Sequence, residues 1–155
     1  MKGDLYDFFN ALGERESNND YKIVNTLGYL GRWQFGKPRL YDLGISIDGY
    51  HPKDRSILKI ISKEKFLGDV LLQDMCILKS VRLYKRYFEI REEYQKLFQT
   101  KVNGVLISLS GLIAGAHLLG PGGVADFFKG NIKQDAYGTK ITEYIEKFGQ
   151  YNLSE

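Results

Sequence analysis

The stretch Glu14–Gly36 reads ERESNNDYKIVNTLGYLGRWQFG, and it marks a change from helical spacing to a segment rich in turns. Before it, Gly13 stands where a helix would end or loosen, and four apolar residues recur at helical intervals: Leu5, Phe8, Phe9 and Leu12. Within it, glycines interrupt a mixture of aromatic and polar residues that suits loops or a short hairpin better than a helix. The sequence therefore predicts a short helix that delivers Glu14 and Glu16 to a glycine-rich segment.

The rest of the chain is predicted to be helical. KPRLYDLG indicates a brief helix closed by Gly44, and ISIDGYHPKD indicates a surface connection. From about Ser56 onward, apolar residues recur every three or four positions, with Gly68 separating two helices. Two more helices are expected, one over VLISLSGLIAGAHLL that ends at Gly120-Pro121-Gly122-Gly123, and one from about Thr139 to Gly149. The expected fold is mainly α, with a small glycine-rich loop or hairpin lobe.

Composition limits the protein to a few broad classes. With 155 residues and 43% hydrophobic content, we expect one compact domain over residues 1–155 with a single core. The net charge of +3 gives a mild attraction to anionic partners, which leaves bacterial wall, nucleic acid and acidic lipid open. The single cysteine, Cys76, excludes an internal disulfide and is expected to be a small buried apolar residue.

Targeting signals are not apparent in the sequence. Asp4 and Asp7 interrupt the apolar residues of the amino terminus, so we expect no secretory signal there. The longest apolar stretch, VLISLSGLIAGAHLLG, contains Ser108, Ser110 and His117 and is shorter than the ~20 residues that a membrane span needs. We therefore expect no transmembrane segment.

A catalytic pattern begins with Glu16-Ser17 and continues through Asn25, Gly28, Gly31 and Gln34. It resembles the first two motifs of the soluble lytic transglycosylases and goose-type lysozymes, which read Glu-Ser, then a polar residue, then Gly-Ala-x-Gly-x-x-Gln at this spacing. Tyr29 stands at the alanine, and Trp33 stands where methionine is common.

Two later segments resemble further motifs of the same family. GAHLLGPGGVADFF is similar to Ala-Tyr-Asn-Ala-Gly-x-x-x-Val, with Gly120 and Val124 in register and with His117 at the tyrosine. Leu118 stands where the family has an asparagine that contacts substrate, so the details of sugar binding are not carried over. TKITEYIEKF is similar to the closing motif, in which a tyrosine lies near the catalytic acid, and this points to Tyr144.

The resemblance implies a lysozyme-like fold and cleavage of the peptidoglycan glycan strand between N-acetylmuramic acid and N-acetylglucosamine. It makes Glu16 the general acid and then the base. It assigns the substrate-binding role to residues of all three segments: Ser17, Asn25, Gly31, Gln34, His117, Gly120 and Tyr144. No cofactor and no metal are implied: His51 has no cysteine or second histidine at ligand spacing, and a lone histidine such as His117 is more often a satisfied residue on a helix face than a ligand.

The chemistry requires a carboxyl group that is still protonated near neutral pH, and apolar surroundings raise the pKa of such a group. Glu14 is the competing carboxylate, but the spacing to the glycines and the glutamine fits only from Glu16. A second catalytic carboxylate is not apparent, and the candidates by chain position are Asp20, Asp42, Asp48 and Asp54. Hydrolysis and the intramolecular lyase route therefore both remain open.

Two alternatives belong to other classes of protein. The chain could be a catalytically silent glycan-binding or structural module of the same fold. It could also be a helical domain that binds nucleic acid or protein through the basic run KSVRLYKRYFEIREEYQK. If the substrate is the bacterial wall, in the periplasm or outside the cell, we expect a secretion system, a phage tail or a lysis cassette to deliver the protein.

Overall fold

The computed structural model describes residues 1–50 and 59–155, and about 52% of these residues are helical. The prediction of a mainly α protein is confirmed. The helices in these ranges are α1 (Leu5–Ser17), α2 (Lys37–Asp42), α3 (Lys63–Gly68), α4 (Val70–Glu89), α5 (Glu92–Gln95), α6 (Leu109–Phe128) and α7 (Ile141–Lys147). Within the same ranges, no helix is both long and apolar enough to span a membrane.

Two short strand pairs accompany the helices. Strands β1 (Ile45–Ile47) and β2 (Lys59–Ile61) pair in parallel, with Ile45 opposite Lys59. Strands β3 (Lys101–Val102) and β4 (Val105–Leu106) form an antiparallel hairpin.

The chain divides into two compact units. The inserted unit is Asn10–Ser80, and the terminal unit combines Met1–Phe9 with Val81–Glu155. Helices α1 and α4 each begin in one unit and end in the other.

The glycine-rich segment of the inserted unit folds as a hairpin, as the sequence predicts. Backbone bridges join Val24 to Leu30 and Leu30 to Phe35. Leu30, Trp33 and Phe35 are buried and supply its apolar side. The hairpin leads through Gly36 into α2, where Pro38 stands in the first turn because the missing amide hydrogen costs nothing there.

Several predicted boundaries were wrong. Helix α1 does not end near Gly13 but continues to Ser17, so Glu14 and Glu16 lie within its last turns. Ile45–Ile47 was expected in a surface connection, yet it is a buried strand, because β-branched residues favour a pleated conformation. For the same reason the segments Lys59–Ile61 and Val105–Leu106 are strands where helices were expected.

In the terminal unit, α6 and α7 pack closely because small residues line the contact. A Cβ on Gly111 would lie 2.5 Å from the carbonyl oxygen of Ile145, so only glycine permits this approach. The Ser110 hydroxyl donates a hydrogen bond of 2.7 Å to the carbonyl of Phe148, just after α7. The pair therefore forms a fixed framework.

Helix α6 breaks at Gly120, where the sequence predicts that a helix ends. Gly120 has φ 73° and ψ 170°, which lies outside helical geometry, and the helix resumes at Pro121. The predicted end is thus a break between two helical segments.

Candidate functional site

Glu16 ends the apolar face of α1. Phe9, Leu12 and Glu16 follow one another at helical spacing, and the two apolar residues are buried. Glu16 itself is partly buried, whereas Glu14 is exposed. The helix therefore leaves Glu16 partly shielded from solvent and Glu14 exposed.

Ser17 fastens this end of α1 to the hairpin. Its hydroxyl donates a 2.7 Å hydrogen bond to the Arg32 carbonyl and accepts one of 3.1 Å from the amide of Asp20. The bond spans 15 positions of the sequence and fixes the turn that carries Glu16 relative to the strip Gly31–Gln34.

Gln73 holds the backbone of the same residue, Arg32, from its amide side, and the sequence did not predict this role. It is 1% exposed, and its Oε1 accepts the Arg32 amide at 3.0 Å. Its Nε2 donates to the carbonyls of Tyr21 at 2.9 Å and Phe66 at 3.0 Å. A Cβ on Gly31 would lie 2.1 Å from Gln73 Oε1, which explains why glycine stands at this position.

The Arg32 side chain lies across α1. Its guanidinium donates to Asn10 Oδ1, to Asn19 Oδ1 at 2.8 Å and to the Tyr21 hydroxyl at 3.0 Å. The Tyr21 hydroxyl in turn donates to Asp74 at 2.7 Å. Burial, with this hydrogen bond to Asp74, raises the pKa of Tyr21.

Asn25 and Gln34 stabilise the hairpin from within. Asn25 Oδ1 accepts the amides of Leu27 at 2.9 Å and Tyr29 at 3.0 Å. Gln34 is 8% exposed, and its Nε2 donates to the carbonyls of Gly31 at 3.0 Å and Ile23 at 3.3 Å. The structure therefore brings Glu16, Ser17, Asn25, Gly31 and Gln34 into one unit and gives the two amides a role in shaping the hairpin.

The remaining predicted site residues belong to the terminal unit. His117 is partly buried on α6, and Gly120 forms the break in that helix. Tyr144 on α7 is 2% exposed, and its ring meets the Phe148 ring edge-on at 5.0 Å between centroids. A ring so deeply buried packs in the core, so any effect of Tyr144 on a substrate would act through its neighbours.

The candidates for a second carboxylate lie at the surface. Asp20 accepts the amide of Lys22 at 2.8 Å, Asp42 lies 3.8 Å from Arg39, and Asp48 accepts the amide of Lys63 at 3.1 Å. Asp54 and His51 lie outside the described residues. In the described part of the chain, no cluster of three or more His, Cys, Asp or Glu residues could hold a metal ion.

Arg32 and Gln73 were missed because their contacts are distant in the sequence. The one available signal was the position of Gln73, which falls on the same helical face as Cys76, Ile77 and Ser80. A polar residue in that register requires hydrogen-bond partners inside the protein.

Comparison of the chain with protein-family models, with curated proteins and with solved structures finds no match.

Proposed function

We propose that this protein has a lysozyme-like fold and cleaves the glycan strand of peptidoglycan, with Glu16 as general acid and then base. The observation that carries the proposal is the placement of Glu16. It is a partly buried carboxylate at the end of an apolar helix face, and it adjoins the residue that fastens the helix to a glycine-rich hairpin. The order of the three motif-like segments along the chain supports the same assignment.

In this proposal the hairpin positions the acid. Glu16 protonates the glycosidic oxygen as the bond to the leaving sugar breaks, and it then removes a proton from the attacking hydroxyl group. Ser17 orients Glu16 through the helix end, because its hydroxyl is bonded to the Arg32 carbonyl. Asn25 and Gln34 keep the hairpin in shape for the glycan. Glycan binding is assigned to the backbone at Gly31 and Gly120 and to His117, whereas the buried Tyr144 acts only through its neighbours.

Zymography on purified peptidoglycan, with turbidity loss as a second readout, tests the catalytic acid. Glu16→Gln should lower the lytic rate by about 10²-fold or more, because an amide cannot donate the proton. Glu14→Gln is the matched control, since it makes the same change two residues earlier on the same helix, and it should retain most of the activity. Circular dichroism should be unchanged in both variants. Loss of activity in Glu14→Gln alone would contradict the assignment.

The released fragments distinguish the two chemical routes. The hairpin strip Asn25–Gly36 contains no Asp or Glu, so we expect the muramic acid hydroxyl to attack and to leave an anhydro end. Mass spectrometry should then find fragments that lack one water relative to hydrolysed ends. Fragments that borohydride reduces completely would instead indicate a hydrolase, since an inverting enzyme needs a base about 6.5–9.5 Å from the acid.

The alternative functions predict other outcomes of the same experiments. A silent glycan-binding module would bind the wall without releasing fragments. A nucleic-acid-binding domain would show affinity that falls steeply with salt. Two cations of the basic run already have partners, because Arg82 pairs with Glu155 and Lys85 donates to the Leu153 carbonyl at 3.2 Å. The ion pair with Glu155 lowers the net positive charge of this face, which favours the glycosidase over the nucleic-acid alternative.

A further inference from the structure

The Arg32 guanidinium is a cation whose hydrogen-bond partners are all uncharged. It donates to the side-chain oxygens of Asn10 and Asn19 and to the hydroxyl of Tyr21. One carboxylate, that of Asp74, accepts the Tyr21 hydroxyl at 2.7 Å, so it acts on the guanidinium only through that hydroxyl and makes no direct ion pair with it. A guanidinium held in this way retains its attraction for an anion.

The guanidinium is also fixed in orientation. Its central carbon lies 4.5 Å from the centre of the Trp33 ring and 5.4 Å from that of the Tyr21 ring, so it stacks on aromatic surface. Gly13 leaves room for it, since a Cβ there would lie 3.0 Å from Arg32 Nε. The Arg32 backbone is held from both sides by Gln73 and Ser17. An anion would therefore meet a donor group that loses little further freedom on binding.

The donors that remain suit a carboxylate. A guanidinium has five N–H groups. The hydrogen bonds to Asn19, Tyr21 and Asn10 use one each on Nε, Nη1 and Nη2, which leaves one N–H on each terminal nitrogen. A carboxylate can accept hydrogen bonds from two guanidinium N–H groups. Arg32 is partly exposed, so solvent reaches the residue.

We propose that Arg32 is a binding site for a carboxylate of the peptidoglycan strand, either the lactyl carboxylate of a muramic acid that carries no stem peptide or the free carboxylate of a stem peptide. The choice of ligand rests on the proposed function, because these are the anionic groups of that substrate. The carbonyl of Arg32 accepts the Ser17 hydroxyl, so the site adjoins the helix turn of Glu16. Arg32 would then select muramic acid over N-acetylglucosamine at this position.

Titration with single sugars tests the site without any glycosidic cleavage. Trp33 is the only tryptophan of the chain and lies against the Arg32 guanidinium, so its fluorescence reports binding. We expect N-acetylmuramic acid, or muramyl dipeptide, to bind about tenfold or more tightly than N-acetylglucosamine, because charge-assisted hydrogen bonds are the strong ones. N-acetylmuramic acid carries a free lactyl carboxylate, whereas in muramyl dipeptide only the peptide carboxylate is free. Comparison of the two ligands therefore shows which of the two carboxylates Arg32 binds.

Three variants assign the preference to Arg32. Arg32→Met should abolish the difference between the ligands, and Arg32→Lys should reduce it, since lysine keeps the charge without the planar donor pair. Lys22→Met removes an exposed cation of the same unit and should leave the difference unchanged. If Arg32→Met does not fold, the NMR signal of the Arg32 Nε–H in the unaltered protein should shift with the carboxylate ligands and not with N-acetylglucosamine.

Three results would overturn the proposal: equal affinity for all three sugars, a preference that survives in Arg32→Met, or inorganic phosphate that competes as strongly as the carboxylates. Failure of the proposed function is a separate result. Carboxylate-dependent binding without wall lysis would keep the site and remove the glycosidase. Lysis without a carboxylate preference would keep the glycosidase and remove the Arg32 site.

Discussion

Gly31 is the residue at which the hairpin is most sensitive to an added methyl group. Both Gly28 and Gly31 have positive φ, 85° and 78°, and an L-residue in such a conformation costs roughly 1–2 kcal/mol. Only Gly31 faces an obstacle, since its Cβ would overlap the buried amide of Gln73, whereas nothing lies within 4 Å at Gly28. The two positions therefore form a matched pair.

Gly31→Ala should lower the free energy of unfolding by about 1–3 kcal/mol more than Gly28→Ala, because overpacking adds to the backbone strain. Denaturant unfolding, monitored by Trp33 fluorescence, measures both losses. Equal losses in the two variants would show that the Gln73 side chain moves aside without cost.

Cys76 should be chemically inert in the folded protein. It is buried on α4, and burial raises the pKa of its thiol to about 12, because the charged thiolate is disfavoured there. Iodoacetamide at pH 8 should leave the native protein unmodified and should label it fully in denaturant. Rapid labelling of the native protein would contradict this prediction.

The same pKa shift makes stability depend on pH. The unfolded thiol ionises near its ordinary value and the folded one near 12, so the contribution of the neutral thiol is fully present below about pH 8.5 and is lost as pH rises toward 12. Cys76→Ala should remove this part of the alkaline destabilisation. The denaturant midpoints of the two proteins between pH 8 and pH 10 provide the comparison.

At the residue scale, the sequence predicted what depends on local spacing. Leu5, Phe8, Phe9 and Leu12 recur at helical intervals, and all four are buried in α1. The position of Glu16 within the helix was not predicted, since the helix was expected to end near Gly13. The hydrogen bond between the Arg32 amide and Gln73 could not be predicted. The two residues are 41 positions apart, and they meet only because of tertiary packing.

At the scale of elements, the same hydrogen-bonded loop occurs in both units: an Asn or Asp side chain accepts the amides two and four residues later. Asp135 Oδ1 accepts the amides of Tyr137 at 3.0 Å and Thr139 at 2.8 Å, and Gly138 has φ 84°. Asn25 makes the same pair of bonds, with Gly28 in the same place. The sequence signal for such a loop is an Asn or Asp three positions before a glycine. The first loop was expected as part of a hairpin, and the second was missed.

The break in α6 gives a prediction at this scale. Gly120 has φ 73° and ψ 170°, a conformation essentially confined to glycine, so Gly120→Ala should destabilise the protein by about 1–3 kcal/mol. Gly122 is the matched control, because it lies in the resumed helix with open space around it, and Gly122→Ala should stabilise by about 0.4–1 kcal/mol. Thermal unfolding measures both changes. A stabilising Gly120→Ala would mean that the helix can run straight through.

At the scale of the whole molecule, helical content could be predicted but the strand pairs could not. The apolar periodicity of α1, α4 and α6 is local information and was sufficient for a mainly α assignment. Pairing of β1 with β2 joins Ile45 to Lys59, and three-residue strands are too short to leave a periodic pattern. The division into two units could not be predicted from the sequence either, because the terminal unit combines Met1–Phe9 with Val81–Glu155.

That assembly has a consequence for synthesis on the ribosome. The Lys2 amide donates to the Gln150 carbonyl at 2.7 Å, the Asn152 amide donates to the Gly3 carbonyl at 2.8 Å, and the Phe8 ring packs against Tyr151. Residues 2–8 therefore wait until residues 150–152 have been translated before they find these partners, whereas all of Asn10–Ser80 is translated before then. The inserted unit is complete before that point, so the apolar residues at the start of α1 lack these partners while Asn10–Ser80 is translated.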